Sequence, residues 1–346
     1  MGNKLFFQLW NPTGMINQVM SIELAIGLAH ETNKEMTVHY LSNSGDGLFN
    51  FNKVPIYTPS RFSNPQRQSF INQNQFPHLT DLLEWNKEMI LIDEKIERFP
   101  DEDGVINDMM NNCYYSNENK ITSDELSFAE GRQRINVIDN VHIKRTLGWY
   151  SRFFYNRSSS LDKTLSLVKF KDPYQEFAKM VSNSLGDFVG GHLRLSDHVK
   201  MFNTTSSMFE NGLTQLEKYN LPIVLCTDEP THSMVKERQN RFILLDEYII
   251  ENFAEEFNKL PFQDEVVFGL VCNLIMCNST YFIGTSGSTY TGYIQRLRNQ
   301  SNLNETWDFW DKPVDMSSGP YSWNNYDLEN GKKMWWREWR ESKLNL

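Results

Sequence analysis

Three clusters in the second half of the chain have residue types and spacing that could do chemistry. The first is FVGGHLRLSDHVK, residues 188–200, where an apolar, glycine-rich run leads straight into His192, Arg194 and Asp197. The run reads as a buried parallel strand, and the carboxyl ends of such strands are where open α/β sheets bind ligands. An arginine there needs an anionic partner, because an unpaired charge away from water is costly. Either a neighbouring carboxylate or a substrate anion would serve. The second cluster is GTSGSTYTGYIQRLR, residues 284–298, a small-residue loop that follows a strand and opens a helix. Such a loop aims backbone N–H groups and the positive helix end at one point, where Ser288 and Thr289 add hydroxyls. It suits a phosphate cradle, although taken alone it reads first as an N-capped helix after a turn. It has neither the Gly-Lys-Ser/Thr of a Walker A loop nor the spacing of a G-x-S-x-G elbow. The third, CTDEP at 226–230, puts Thr227, Asp228 and Glu229 at another strand's end. Alone it is an ordinary acidic βα loop, favoured by the helix dipole by a few tenths to about 1 kcal/mol.

The elements that must position these residues alternate strictly from about residue 166. PYQEFAKMVSNSLG predicts a helix ending at Gly186, FVGGHLRL a strand, SSMFENGLTQLEKYN a helix and PIVLCTDE a strand. THSMVKER predicts a short helix and RFILLDE a strand. A helix over 262–277 carries Val266, Val267, Leu270 and Leu274 on one face, and YFIGTS and a helix through Arg298 follow. That order argues for a doubly wound parallel sheet. The N-terminal half opens in the same way. KLFFQLW is a strand, NPTG breaks it, and a helix over 17–31 shows Val19, Ile22, Ile26 and Ala29 on one face before the strand MTVHYL. MILIDE and INVIDNVHI read as further strands. Residues 42–80 are polar and read as an insertion, and 98–130 are poorly patterned. The aromatic tail with Trp335, Trp336 and Trp339 predicts a helix packed across a domain junction. The expected domains are therefore 1–165 and 166–325, with the tail helix at 326–346.

Composition narrows the function classes. The 346 residues allow two cores, and a net charge of -10 argues against nucleic acid and anionic membranes as partners. No run approaches the roughly 20 apolar residues of a membrane helix, and the N-terminus lacks the pattern of a secretory signal. The sequons at Asn156, Asn203, Asn278 and Asn304 matter only in a secretory pathway. Cys113, Cys226, Cys272 and Cys277 form no C-x-x-C pair, so structural zinc is not expected and a reducing cytoplasm is. DED at 101–103 follows ERFP rather than a strand, which suits a solvated acidic turn. His30, His39 and His142 fall inside helix or strand patterns and are expected to be structural.

In order and spacing, FVGGHLRLSDH, IVLCTDEP and YFIGTSGSTYTGYIQRLR resemble the GDP-fucose-dependent fucosyltransferases. This superfamily holds the protein O-fucosyltransferases, the α1,6-fucosyltransferases and the bacterial nodulation fucosyltransferases. The first stretch is similar to their H-x-R-x-x-D signature and the third to their F-I-G-x-x-x-S-S-F loop. NPTGMINQ is similar to a degraded G-x-x-N-Q loop. The likeness covers 188–298 well, the first 35 residues loosely and 42–165 not at all.

The resemblance implies a GT-B fold of two Rossmann-like domains facing a central cleft, with the donor nucleotide in the C-terminal one. It implies an inverting glycosyltransferase with no metal or other cofactor, taking GDP-fucose as donor and a glycan or protein hydroxyl as acceptor. Arg194 would bind the diphosphate and Asp197 order its loop. His192 would contact the nucleotide, and Ser288 and Thr289 the phosphates. Asp228 would join the donor site, with Asp197 and Asp228 as candidate bases. Gly14 and Asn17 would line the cleft from the other domain. The chemistry agrees, since a departing diphosphate gains charge that a guanidinium and a helix N-terminus can take up. Two positions depart from the family. Cys272 stands where the family has an aspartate that pairs with guanine, and Leu195 stands where several relatives have a second arginine. A transferase for another nucleotide sugar and a non-catalytic nucleotide- or carbohydrate-binding relative therefore stay open.

Overall fold

In the computed structural model the described residues are 4–10, 16, 19, 35–41, 70–72, 79–85, 92–93, 134–135, 141–145, 168–195, 204–285, 288–300 and 308–310. The first strand, β1 (Lys4–Trp10), pairs in parallel with β2 (Glu35–Leu41) over its whole length. The strands that follow are β3 (Leu83–Trp85), β4 (Ile92–Asp93), β5 (Arg134–Ile135), β6 (Val141–Arg145) and β7 (Val168–Phe170). The N-terminal sheet has the order β4-β2-β1-β6-β5 and is parallel except for the β5–β6 pair. INVIDNVHI, expected as one strand, contributes to two that run antiparallel. Ile16 and Val19 are helical and buried, at the start of the helix expected over 17–31. The rest of that helix, the DED at 101–103 and the tail at 326–346 lie outside the described residues.

The second sheet contains β8 (Val189–Leu193), β9 (Ile223–Thr227), β10 (Ile243–Leu244), β11 (Tyr281–Gly284) and β12 (Asp308–Phe309). Its order is β10-β9-β8-β11-β12 and every pairing is parallel, which bears out the strand–helix alternation of the sequence. Strands β8, β9 and β11 are buried at every position, as expected of strands covered on both faces. RFILLDE is only a two-residue strand. Leu245 already starts a helix, with Asp246 and Glu247 in its first turn, where acidic side chains favour the helical state.

Five longer helices complete this part. They are α1 (Asp172–Leu185), α2 (Ser206–Glu217), α3 (Leu245–Asn252), α4 (Glu265–Met276) and α5 (Thr289–Gln300). A proline in its first turn starts α1, and Gly186 ends it at φ 69°, a backbone that side chains disfavour. Thr205 caps α2 by accepting from Met208 N at 3.3 Å. Asp264 caps α4 by accepting from Val267 N at 3.1 Å, and burial pushes its carboxyl up to about 6. α4 is expected to show one apolar face but is buried almost all round, because it packs against α1 and α5. The main core lies between the sheet and its helices and includes Val189, Leu193, Phe209, Leu213, Leu225 and Ile283. Residues 79–85 attach to this part through the antiparallel β3–β7 pair, and Phe70 packs on Phe257 with centroids 5.1 Å apart.

Candidate functional site

The parallel register aligns the carboxyl ends of three strands in one row. His192 stands opposite Gly284 on one side and Cys226 on the other, and Leu193 stands opposite Thr227. Arg194, just past β8, is therefore flanked by the loops that leave β9 and β11. Both loops tie the backbone at this turn. Thr285 Oγ1 accepts from Arg194 N at 2.9 Å and donates to the His192 carbonyl at 3.2 Å. Asp228 Oδ1 accepts from Leu195 N at 2.8 Å, while Oδ2 meets Arg194 Nε at 3.1 Å. The anionic partner that the sequence demanded for Arg194 is thus Asp228. Side-chain exposure is 14% for the arginine and 9% for the aspartate, so the pair is held largely out of water. A guanidinium carries five N–H donors in a planar fork, a shape suited to phosphate.

His192 is buried, and its Nδ1 shares a hydrogen bond of 2.8 Å with Thr291 Oγ1. Its ring lies 4.7 Å from that of Tyr290, tilted by 38°. The Tyr290 hydroxyl in turn donates to the Gly269 carbonyl of α4 at 2.8 Å. These contacts lock the first turn of α5 to the end of β8. Gly284 is part of the same fit, since a Cβ there would come within 2.1 Å of Thr291 Cγ2. The far end of α5 is clamped as well. Arg298, fully buried, donates to the Ser279 carbonyl and hydroxyl and, at 3.2 Å, to the Thr280 carbonyl, and burial brings it down to about 10. Ser288 is buried directly before α5. Its N–H donates to the Thr285 carbonyl at 3.3 Å and its carbonyl accepts from Gly292 N at 3.0 Å. Thr289 opens the helix. The start of α5 is thereby tethered to Thr285, next to Arg194, and a helix N-terminus favours an anion.

Trp310, a core residue, packs against the ends of β8 and β11. Its indole N–H donates to the His192 carbonyl at 2.8 Å, and its backbone N–H donates to the Gly284 carbonyl at 3.0 Å. The ring fits only because residues 191 and 212 lack side chains. A Cβ would approach it to 2.7 Å at Gly191 and to 2.1 Å at Gly212. Trp310, Thr285, Tyr290 and Thr291 join the site through contacts that their positions in the sequence do not reveal. The glycines at 191 and 212, the second inside α2 at a cost of roughly 1 kcal/mol against alanine, are the local traces of the buried indole.

Of the expected site residues, His192, Arg194, Asp228, Ser288 and Thr289 belong to one sheet edge or to the helix that starts there. Asp197, Gly14 and Asn17 lie outside the described residues. Among the described residues no three His, Cys, Asp or Glu side chains gather as metal ligands, and no helix is long and apolar enough to cross a membrane. Cys226, Cys272 and Cys277 are free and buried.

No protein-family model matches the sequence, and no curated protein matches it. Solved structures similar to this chain include the fucosyltransferase NodZ from Bradyrhizobium, at 13% identity and TM-score 0.46 over 85% of this chain and 93% of that one. POFUT1 in complex with GDP is similar at 11% identity and TM-score 0.42, over 90% and 99%. A mutant of Arabidopsis thaliana FUT1 in complex with GDP is similar at 12% identity and TM-score 0.41, over 86% and 69%.

Proposed function

We propose that the chain is an inverting, metal-independent glycosyltransferase of GT-B type that moves fucose from GDP-fucose to a hydroxyl of a glycan or protein. One observation carries the reading: Arg194 stands at the carboxyl end of β8, paired with Asp228 and tied through Thr285 to the loop that opens α5. A cation and a helix start at one sheet edge can bind a diphosphate and take up its charge as the sugar leaves. Binding of a neutral glycan alone would need neither. The ordered motifs around His192, Asp228 and Ser288 resemble those of the fucosyltransferases, which supports the donor class. Asp228 holds the arginine fork in place, His192 and Tyr290 flank the nucleotide, and Ser288 and Thr289 meet the phosphates. Asp197 orders the loop after β8, and Gly14 and Asn17 line the acceptor side. A cytoplasmic setting belongs to the same proposal, on the buried free thiols.

Arg194→Lys tests it. Lysine keeps the charge and loses the planar fork, so GDP binding should persist within about tenfold while GDP-fucose turnover falls on the order of 10²–10³. Arg194→Ala should remove nearly all turnover. Activity within a few-fold of wild type in either variant would refute the assignment. Turnover abolished by excess EDTA and restored by Mn²⁺ would refute metal independence. One observation favours a second reading, a donor with a different base, because Cys272 replaces the aspartate implied by the resemblance.

A further inference from the structure

We infer that Thr285 is a positioning residue for the donor diphosphate, a hydroxyl that stands in for strand backbone and fixes where the Arg194 fork points. The inference deepens the nucleotide-sugar reading above and rests on it.

The register shows what the hydroxyl replaces. β8 and β11 pair from Val189 with Tyr281 to His192 with Gly284, so the next residues in step are Leu193 and Thr285. Val189 N donates to the carbonyl of Pro222, just before β9. Main-chain groups alternate sides along a strand, so those of His192 and Arg194 face β11. In a regular parallel ladder the N–H of residue 285 would donate to the carbonyl of 192, and its carbonyl would accept from the N–H of 194. Thr285 makes both bonds with its side chain. Oγ1 donates to the His192 carbonyl at 3.2 Å and accepts from Arg194 N at 2.9 Å. Its own carbonyl turns to the loop instead, where it accepts from Ser288 N at 3.3 Å. The chain thereby leaves the sheet for the loop before α5 while β8 stays pinned for one more step.

Arg194 is held from two sides as a result. Thr285 takes its N–H from the β11 side, and Asp228 Oδ1 takes the Leu195 N–H from the β9 side at 2.8 Å. Two successive amides fixed in this way set the direction in which the arginine side chain leaves the backbone. The task needs one atom that both donates and accepts, which a hydroxyl supplies and an apolar side chain does not. Thr285 is fully buried, so without its hydroxyl the turn must shift to satisfy the same groups. The guanidinium, at the far end of a long side chain, magnifies that shift.

Thr285→Val keeps the shape and removes the hydroxyl, whereas Thr285→Ser keeps the hydroxyl. With GDP-fucose at saturation, Thr285→Val should lose roughly ten- to a hundredfold in kcat, the scale set by a misplacement of about 1 Å. Thr285→Ser should stay within about threefold of wild type, because both hydrogen bonds survive. Calorimetry should show GDP affinity falling about tenfold in Thr285→Val, but less than about threefold when the change is made in Arg194→Lys, which has no planar fork to aim. A threonine that only stabilised the fold would weaken both backgrounds equally. If Thr285→Val does not fold, Thr285→Cys takes its place. A thiol is close to serine in size but bonds weakly, so its kcat should lie at least about fivefold below that of Thr285→Ser. A folded Thr285→Val within about threefold of wild type in kcat and GDP affinity overturns the inference and leaves the donor reading standing. An equal loss in Thr285→Ser, or an equal GDP penalty in both backgrounds, does the same. A wild type that neither binds GDP nor turns over GDP-fucose overturns the donor reading itself.

Discussion

Replacing Asp228 by asparagine separates two roles for this residue that the site brings together. The carboxylate holds Arg194 Nε at 3.1 Å and the Leu195 amide at 2.8 Å, and both charged side chains are largely buried. Removing one partner of a buried ion pair costs about 3–5 kcal/mol. Asparagine keeps an oxygen for the Leu195 amide, so the expected loss is lower, about 2–3 kcal/mol. For a cooperative unit of this size that lowers Tm by about 5–10 °C. The liganded protein should behave differently. With its carboxylate gone, Arg194 loses the anion at Nε, and a bound diphosphate can supply another. GDP should therefore bind Asp228→Asn more tightly than wild type and raise its Tm by more, because ligand stabilisation grows as RT ln(1 + [L]/Kd). Thermal melts with and without GDP, checked by calorimetry, measure both effects. Weaker GDP binding by the variant would refute this exchange and show that the carboxylate aids the donor site, by contact or by holding the Arg194 fork. An unchanged Tm would refute the buried-pair argument.

Two further outcomes follow from the packing and the titratable groups. In Gly212→Ala, helix propensity alone would add up to about 1 kcal/mol, but the new Cβ would lie 2.1 Å from Trp310 Cε3. Overpacking of this kind costs about 1–3 kcal/mol, so denaturant melts should show net destabilisation with loss of turnover as Trp310 leaves the His192 carbonyl. A more stable variant would refute the fit. Burial raises the Asp264 carboxyl from 3.8 to about 6, so the folded protein holds that proton more tightly than the unfolded chain. Its contribution is full below about pH 4 and is lost as pH rises through about 6, a change of ~3 kcal/mol. Asp264→Asn keeps a capping oxygen for Val267 N, so stability followed from pH 4 to 7 should lose that decline and exceed wild type at pH 7. A variant less stable than wild type at pH 7 would refute it.

Periodic and punctuated features were legible in the residue order alone. Buried strands such as VGGHL and IVLCT are short apolar runs, Gly186 marks a helix end, and the strand–helix alternation from residue 166 dictates a parallel sheet. Those signals are local, because each follows from the backbone preferences and burial of a few neighbouring residues. A short strand running into a helix is weaker. RFILLDE carries an apolar run that suits either state, and the helix begins at Leu245. Strand-end chemistry was legible too. A cation placed after a buried run, with acids after the next strand, announces a polar edge whatever it binds.

Which partner each group takes depends on packing across the fold. Arg194 and Asp228 are 34 positions apart, and they pair because β8 and β9 are adjacent in parallel register. The His192 carbonyl is held by Trp310, 118 residues away, and Cys272 meets Asp246 across two helices. No local pattern encodes such pairs. They exist because packing of helices on a twisted sheet brings distant residues within a few ångströms, and that distance sets the energy of a hydrogen bond or an ion pair.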